Sequence, residues 1–418
     1  MKKLMKKFHT LTLTALGTIL LAANAQAAGF HLREQSAAAQ GNAFAGATAG
    51  AENASYAYFN AAGLTRQKGT QINMGGTYIS PRAEANNVLF PPNEQGVRPR
   101  DHDVNNVVHA AVAPNMTVSH QVNEKAYLGV ALNVPYGMIT KYDQDYAGSD
   151  HGVTSKVISA TVTPMAAYKV TDKLSLGAGV QLQYFRARLT NTIGGPHSPM
   201  AAVHGDAFDI GYQFGAMYEF NDKTRVGVGY RSEVKHKIKG KIDSGIPLPK
   251  LNQDIHARLT TPDMLSFGAY HQINDKWAVM AEYQRVFWSS FQDLNIYGDE
   301  YPFESKTKEK WRDTNFFALG ASYQIDNQWK LRLGTAYDQS AVRVQHRTPR
   351  IPDSDRIWLS GGLNYQYNEH LTFDATYTYI KAHKAHVDTS LTGNTGSHVT
   401  AEYSNSIQMF GFSLNYKF

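Results

Sequence analysis

The sequence predicts an all-β fold: a transmembrane antiparallel β-barrel of about 14 strands with a small N-terminal hatch in its lumen. Three observations lead there. The chain opens with the three parts of a secretory leader. A short phrase, an aromatic residue or histidine running into a polar turn and back into alternating apolar residues, recurs at 168–173, 218–223, 271–276, 323–328 and 365–370. Copies lie about 40 to 55 residues apart, the length of two strands, one tight turn and one long loop. The last strand alternates strictly, with Phe410, Phe412, Leu414, Tyr416 and Phe418 on one face and Gly411, Ser413, Asn415 and Lys417 on the other.

In chain order, Lys2, Lys3, Lys6 and Lys7 precede an apolar run over 11–22 and then Ala25-Gln26-Ala27, so residues 1–27 read as a signal peptide and the mature chain is expected to begin at Ala28. The run is shorter than the roughly 20 apolar residues a membrane anchor needs. No cysteine follows it, which excludes a lipoprotein anchor. Residues 28–66 are rich in Ala and Gly and carry no period of two. A barrel of this size encloses a lumen too wide for wall side chains to fill, so 28–66 is expected to be a hatch. A mobile tail outside the barrel is the alternative.

Residues 67–418 then supply the barrel. Trp277, Val279, Ala281 and Tyr283 oppose Ala278, Met280, Glu282 and Gln284; Leu371, Phe373, Ala375, Tyr377 and Tyr379 oppose Thr372, Asp374, Thr376 and Thr378. In water such faces are an aggregation hazard, and against lipid they are an outer surface. Turns near Asn123, Asp172, Asp222, Asp275, Asn327 and Asn368 give the even strand count. Long loops are expected near 86–106, 137–154, 191–205, 243–251, 298–310, 346–354 and 389–397, outside the cell if the short turns are periplasmic.

Composition narrows the function. A mean hydropathy of −0.40 fits a barrel, because only alternate residues must meet lipid. The formal charge of +6 falls to about +2 once the four leader lysines are gone, which gives no case for nucleic-acid binding. With no Cys there are no disulfides, thiolate metal sites or Cys nucleophiles. The 16 His are scattered. No cofactor or metal is expected. An outer-membrane lipase or protease would need a Ser/His or Asp/His set that no motif supplies. An open porin leaves the hatch without a purpose, and an adhesive role of the loops is a further alternative.

Ala28-Gly29-Phe30, Gln40-Gly-Asn-Ala-Phe-Ala-Gly46 and Asn60-Ala-Ala-Gly-Leu64 resemble the N-terminal hatch of the FadL-type long-chain fatty acid transporters. Thr261-Pro-Asp-Met-Leu265, Trp288-Ser-Ser-Phe-Gln292 and Ile351-Pro-Asp-Ser-Asp-Arg-Ile-Trp-Leu-Ser360 extend the resemblance along the mature chain. It implies passive uptake of hydrophobic molecules across the outer membrane: long-chain fatty acids, or in some relatives aromatic hydrocarbons. Capture would occur outside, binding in the lumen, and release by movement of the hatch through an opening in the wall. Burying about 16 methylenes at about 0.8 kcal/mol each offers roughly 13 kcal/mol, so a site using all of it needs a gate to let go.

Two departures stand out. The family's Asn-Pro-Ala at the end of the hatch is Asn60, Ala61, Ala62 here, and without proline the backbone at this candidate gate is freer. The loops at 191–205 and 243–251 are short, so a surface capture groove built from Ile193, Met200, Val203, Ile246, Leu248 and Leu251 would be reduced.

A fatty acid needs a cation for its carboxylate and an apolar wall for its tail. With Trp311, Phe317 and Leu319 toward lipid, alternation places Arg312 and Phe316 in the lumen; on the neighbouring strand it places Val286 and Trp288 there. Arg312 with Phe316, Val286 and Trp288 is the expected clamp, and Arg312 falls where the family carries a basic pocket residue. An Arg312 paired with a lumen carboxylate is the alternative. Arg186 also resembles a pocket arginine, yet it shares parity with lipid-facing Leu182 and Tyr184. Either a bulge re-aims it or it lies above the membrane against anionic lipopolysaccharide. As in the family, Phe30 would enter the lumen and Phe418 would be the terminal aromatic read by the barrel assembly machinery. The expected state is a monomer.

Overall fold

The computed structural model describes residues 29–90, 96, 99–390 and 398–418. Residues 1–27, expected to be a leader, and most of the last expected loop lie outside the described residues. Among the described residues hydrogen bonding defines twenty strands, of which six continue a preceding strand across a short break (20 minus 6), leaving fourteen crossing segments. They are 70–89, 111–121, 126–141, 154–169, 174–192, 200–221, 224–244, 253–272, 277–298, 304–324, 329–338, 356–366, 371–390 and 398–417. Each pairs antiparallel with its neighbour. The strand Thr70–Leu89 closes on His398–Lys417 in a register running from Gln71 opposite Lys417 to Leu89 opposite Thr400. Closure removes the edges that an open sheet could not expose to lipid.

The recurring phrase in the sequence is the chemistry of the turns. At one end of the barrel Asn123, Thr171, Asn221, Asn274, Asp326 and Asn368 each accept two backbone N–H groups, from residues two and three positions ahead. Each side chain mimics a turn carbonyl, which lets six hairpins close within a few residues. The other end carries the longer connections. Several are shorter than expected, because Gly137–Lys141, Glu304–Lys308 and the start of Met200–Asn221 are strand rather than loop.

Alternation holds along unbroken strands and inverts across breaks. In Thr224–Arg231, Val226 and Val228 face out while Arg225 and Arg231 face in. Past Ser232 and Glu233 the parity flips, so Lys235, Lys237, Lys239 and Lys241 face out while His236, Ile238 and Ile242 face in. The same inversion follows Pro262-Asp263. It recurs at 309–313, where Lys310 adopts a left-handed φ of 48°. Toward the turn end the barrel is therefore greasy outside and polar inside; toward the loop end Val234–Ser244 and Gln253–Thr261 are polar outside and greasy inside. That inversion positions the site.

Candidate functional site

Residues 29–65 are buried in the lumen apart from a half-buried Glu52. Ser36 caps the helix Ala37–Gly41 by accepting from the Ala39 N–H at 3.2 Å. Short 3-10 turns follow at Ala54–Tyr58 and Ala61–Arg66. Ala43, Phe44 and Ala51 hold left-handed φ values of 50°, 63° and 46°, conformations that non-glycine residues keep only when packing imposes them.

Wall glycines make room for this packing. A Cβ at Gly215 would collide with the Asn60 side chain, and one at Gly334 with the backbone of Asn42. Asn60 ties the end of the hatch to the wall: it donates to Thr48 O at 2.8 Å and Ala216 O at 2.9 Å, and accepts from Ala62 N–H at 2.9 Å. Ala61 and Ala62 are fully buried. The position lacking proline is thus pinned by a side chain instead of a ring.

Ions lock the hatch as well. Arg332 lies 2.6 Å from Glu52 of the hatch and 2.7 Å from Asp374 of the neighbouring wall, while Lys330 reaches Glu52 at 3.2 Å. Arg33 stacks 3.7 Å over Phe316, lies 4.0 Å from Asp338 and donates to Gln284. Thr48 N–H donates to Glu282 at 3.1 Å.

Above the hatch the inverted strands enclose an apolar cavity with about 730 Å³ of empty volume, part of it open to solvent. Phe30 reaches into it beside Met138, Val157, Ile238, Ile255 and Leu259. Phe30 also packs edge-on to Trp288 at 4.9 Å and against Trp311 at 5.6 Å, and its preceding Gly29 N–H is held by Asp353 at 3.0 Å.

Two charged residues line this cavity, Glu309 and Arg350. The Trp311 indole donates to Glu309 at 3.0 Å. Arg350 Nη1 donates to Ser155 Oγ at 3.0 Å and to the carbonyls of Thr154 and Thr190 at 3.3 Å. Burial, only partly opposed by the Glu309 charge, draws the Arg350 guanidinium down to about 10, so it stays a cation at neutral pH.

Beside the cavity the wall is incomplete. The second and third crossing segments pair from Met116 opposite Leu132 to Gln121 opposite Tyr127, and the chain just before the second segment meets the third again through a bridge between Val108 and Thr140. Between these contacts the third segment breaks at 134–136, and the hatch lead takes over its bonds. Leu32 N–H donates to Pro135 O at 2.8 Å, Gly137 N–H to Phe30 O at 2.9 Å, and the Gln35 side chain bonds both the N–H and the carbonyl of Val134. Asn115 and Asn133 point inward here with buried amides that lack a protein partner. Such groups bind water when space allows.

The residues chosen from sequence fall out unevenly. Phe30, Val286, Trp288 and Phe316 are buried inside. Phe30, Val286 and Trp288 share one cluster, while Phe316 belongs to the layer around the hatch. Arg312 is outside: its side chain is half exposed and reaches Asp355 at 3.5 Å. Trp311, expected on the lipid face, is buried in the lumen. The break at 309–313 reverses the parity on which both placements relied. Arg186 points outward on an unbroken strand, as its own alternation requires. Phe418 ends the last strand, exposed, with its N–H on Thr70 O at 3.0 Å. Reasoning by strand periodicity could not find Arg350, because it sits in a loop; its neighbour Pro349 and the following Ile351-Pro352 were the only local cue to a fixed backbone.

Residues 18–418 match the family model described as outer membrane protein transport protein (OMPP1/FadL/TodX). Outer membrane protein P1 of Haemophilus influenzae is 30% identical over 463 residues, covering 99% of this chain and 100% of the relative. The long-chain fatty acid transport protein of Escherichia coli O6:H1 is 27% identical over 453 residues, covering 99% of each. Among solved structures, a Pseudomonas aeruginosa FadL homologue superposes with a TM-score of 0.85 at 25% identity, covering 94% of this chain and 100% of the other. The Pseudomonas putida toluene transporter TodX superposes at 0.68 with 18% identity, covering 93% and 99%, a likeness of fold alone.

Proposed function

Because the chain belongs to the OMPP1/FadL/TodX family of outer-membrane transport proteins, we propose that it is a passive outer-membrane channel that admits long-chain fatty acids and carries out no chemistry on them. The observation that carries the substrate is the cavity above the hatch: greasy walls with the single cation Arg350 among its lining residues. An alkyl chain gains from leaving water, and its carboxylate needs a charge-assisted partner once it has done so. Arg350 takes that role in place of Arg312. Phe30 supplies the apolar floor, backed by Trp288 and by Val286 of the same cluster, and Phe316 lies beneath Arg33 of the hatch.

Release follows from the shared bonds at 134–136. The hatch lead is part of the wall there, so drawing Phe30 to Gln35 inward opens the cavity and the side of the barrel together. Asn60, Ala61 and Ala62 anchor the far end of the hatch and act as its hinge. The protein works as a monomer, with Phe418 as its terminal assembly residue.

A labelled long-chain fatty acid titrated against the refolded mature protein tests this, with toluene and a small sugar as competitors. Saturable binding, displaced by unlabelled fatty acid and not by sugar, is the expected result. Arg350→Ala should weaken the fatty acid about tenfold or more, the scale of one lost charge-assisted bond, and leave toluene nearly unchanged. Equal loss for both ligands would remove the carboxylate anchor, and toluene binding without fatty acid binding would favour hydrocarbon uptake.

A further inference from the structure

We propose that the outer face of the strands behind the cavity is a docking surface for the phosphate groups of outer-leaflet glycolipid, the lipopolysaccharide of the membrane in which the barrel sits. Arg186 and Arg188, Lys237, Lys239 and Lys241, and Arg258 all point outward from adjacent segments. Register makes them one array. Arg186 lies opposite Asp206, which lies opposite Lys239; Arg188 lies opposite His204, which lies opposite Lys241; and Lys237 lies directly opposite Arg258.

Like charges placed opposite each other on a sheet repel, so the array calls for an anion. The protein supplies few. Asp206 sits within the array, Asp254 lies 3.6 Å from Lys241, Asp243 lies 3.7 Å from His204, and Asp299 pairs with His256 opposite Lys239. Among the described residues Arg188, Lys237, Lys239 and Arg258 have no carboxylate within 4.0 Å. Six cations against four carboxylates leave a net positive surface.

Height selects the partner. On Met200–Asn221 the outward residues Phe208, Ile210, Tyr212 and Phe214 are exposed and apolar, and the array begins one outward position above them, at Asp206. That is the boundary between acyl chains and head groups. The loop end is the extracellular end, because the short turns face the periplasm. Lysine stems can lie along the lipid while their ammonium groups rise to the phosphates, and arginine forks fit phosphate bidentately. The cations are not needed inside, since the same strands turn Ile238, Ile255 and Ala257 to the cavity. A glycolipid bound here would brace the outer side of the cavity wall.

The test is a native mass-spectrometric titration of the full mature protein with bisphosphorylated lipid A, dephosphorylated lipid A, and inorganic pyrophosphate. Wild type should retain bisphosphorylated lipid A and lose affinity about tenfold or more in Lys237→Gln/Lys239→Gln/Arg258→Gln, given the contribution of each cation near a charged surface. Dephosphorylated lipid A should not distinguish the two proteins. A turn-end variant, Lys125→Gln/Lys173→Gln/Lys276→Gln, should bind as wild type does. Folding is checked by heat-modifiable electrophoretic mobility and by unchanged fatty acid binding, and Lys239→Gln alone replaces the triple variant if that fails to fold. Equal retention by wild type and array variant overturns the proposal. So does equal loss in the turn-end variant, or pyrophosphate binding as tight as lipid A.

Discussion

At the scale of single residues, the charges in the lumen divide by what surrounds them. Arg332 is held between two carboxylates and locks the hatch, whereas Arg350 faces an apolar cavity with only Glu309 nearby in charge. Removing each should therefore have a different signature. Arg332→Met leaves Glu52 and Asp374 buried without their shared cation and should cost about 3–5 kcal/mol in denaturant unfolding from lipid vesicles. Glu309→Gln should instead tighten fatty acid binding roughly threefold to tenfold, because the ligand carboxylate no longer competes with a resident anion for Arg350. Unchanged or weaker binding in the same titration would show that Glu309 does not oppose the ligand.

At the scale of elements, the hatch is seated by backbone contact with wall glycines, and this makes a glycine substitution a way to separate hatch from barrel. Gly215→Val would push on Asn60 and withdraw its bonds to Thr48 and Ala216. The expected outcome is a barrel that still shows heat-modifiable mobility, with residues 29–66 cut by protease at least about tenfold faster, since local opening costs less once two hydrogen bonds are lost. A cleavage rate equal to wild type would mean that the hatch does not depend on this contact. The strand breaks are the other element-scale device. The flips after Glu233 and at Pro262-Asp263 let one segment face lipid with its lower half and enclose the cavity with its upper half. An unbroken alternating strand cannot do this, because its two faces keep their identity from end to end.

At the scale of the whole molecule, barrel closure and lumen filling are separable. The first and last strands pair along nearly their full length without help from the hatch. Deleting residues 29–66 should accordingly leave a barrel that folds and inserts but exposes Arg225, Arg231, Arg332 and Asp374 to a water-filled lumen. In planar bilayers it should conduct ions continuously while the intact protein stays closed. A deletion variant that never acquires folded mobility would show that the hatch templates the wall.

Much of this was legible in the residues. The turn phrases specify local side-chain-to-backbone bonds, and the alternating aromatic faces specify which side meets lipid, so strand number, turn positions and the buried places of Val286, Trp288 and Phe316 follow from short-range chemistry, whereas the place of Phe30 came from the resemblance of the hatch start to the family. The outward direction of Arg186 follows in the same way from an unbroken strand. What the sequence by itself determined is therefore a closed barrel with a hatch and the faces of each uninterrupted segment. Tertiary structure alone decided the parity across 309–313, which put Trp311 inside and Arg312 outside, and the choice of Arg350 from a loop as the cation of the cavity. The physical reason is one of range: alternation carries information only along continuous backbone, whereas a break resets it and a loop residue is placed by contacts with segments far away in the chain.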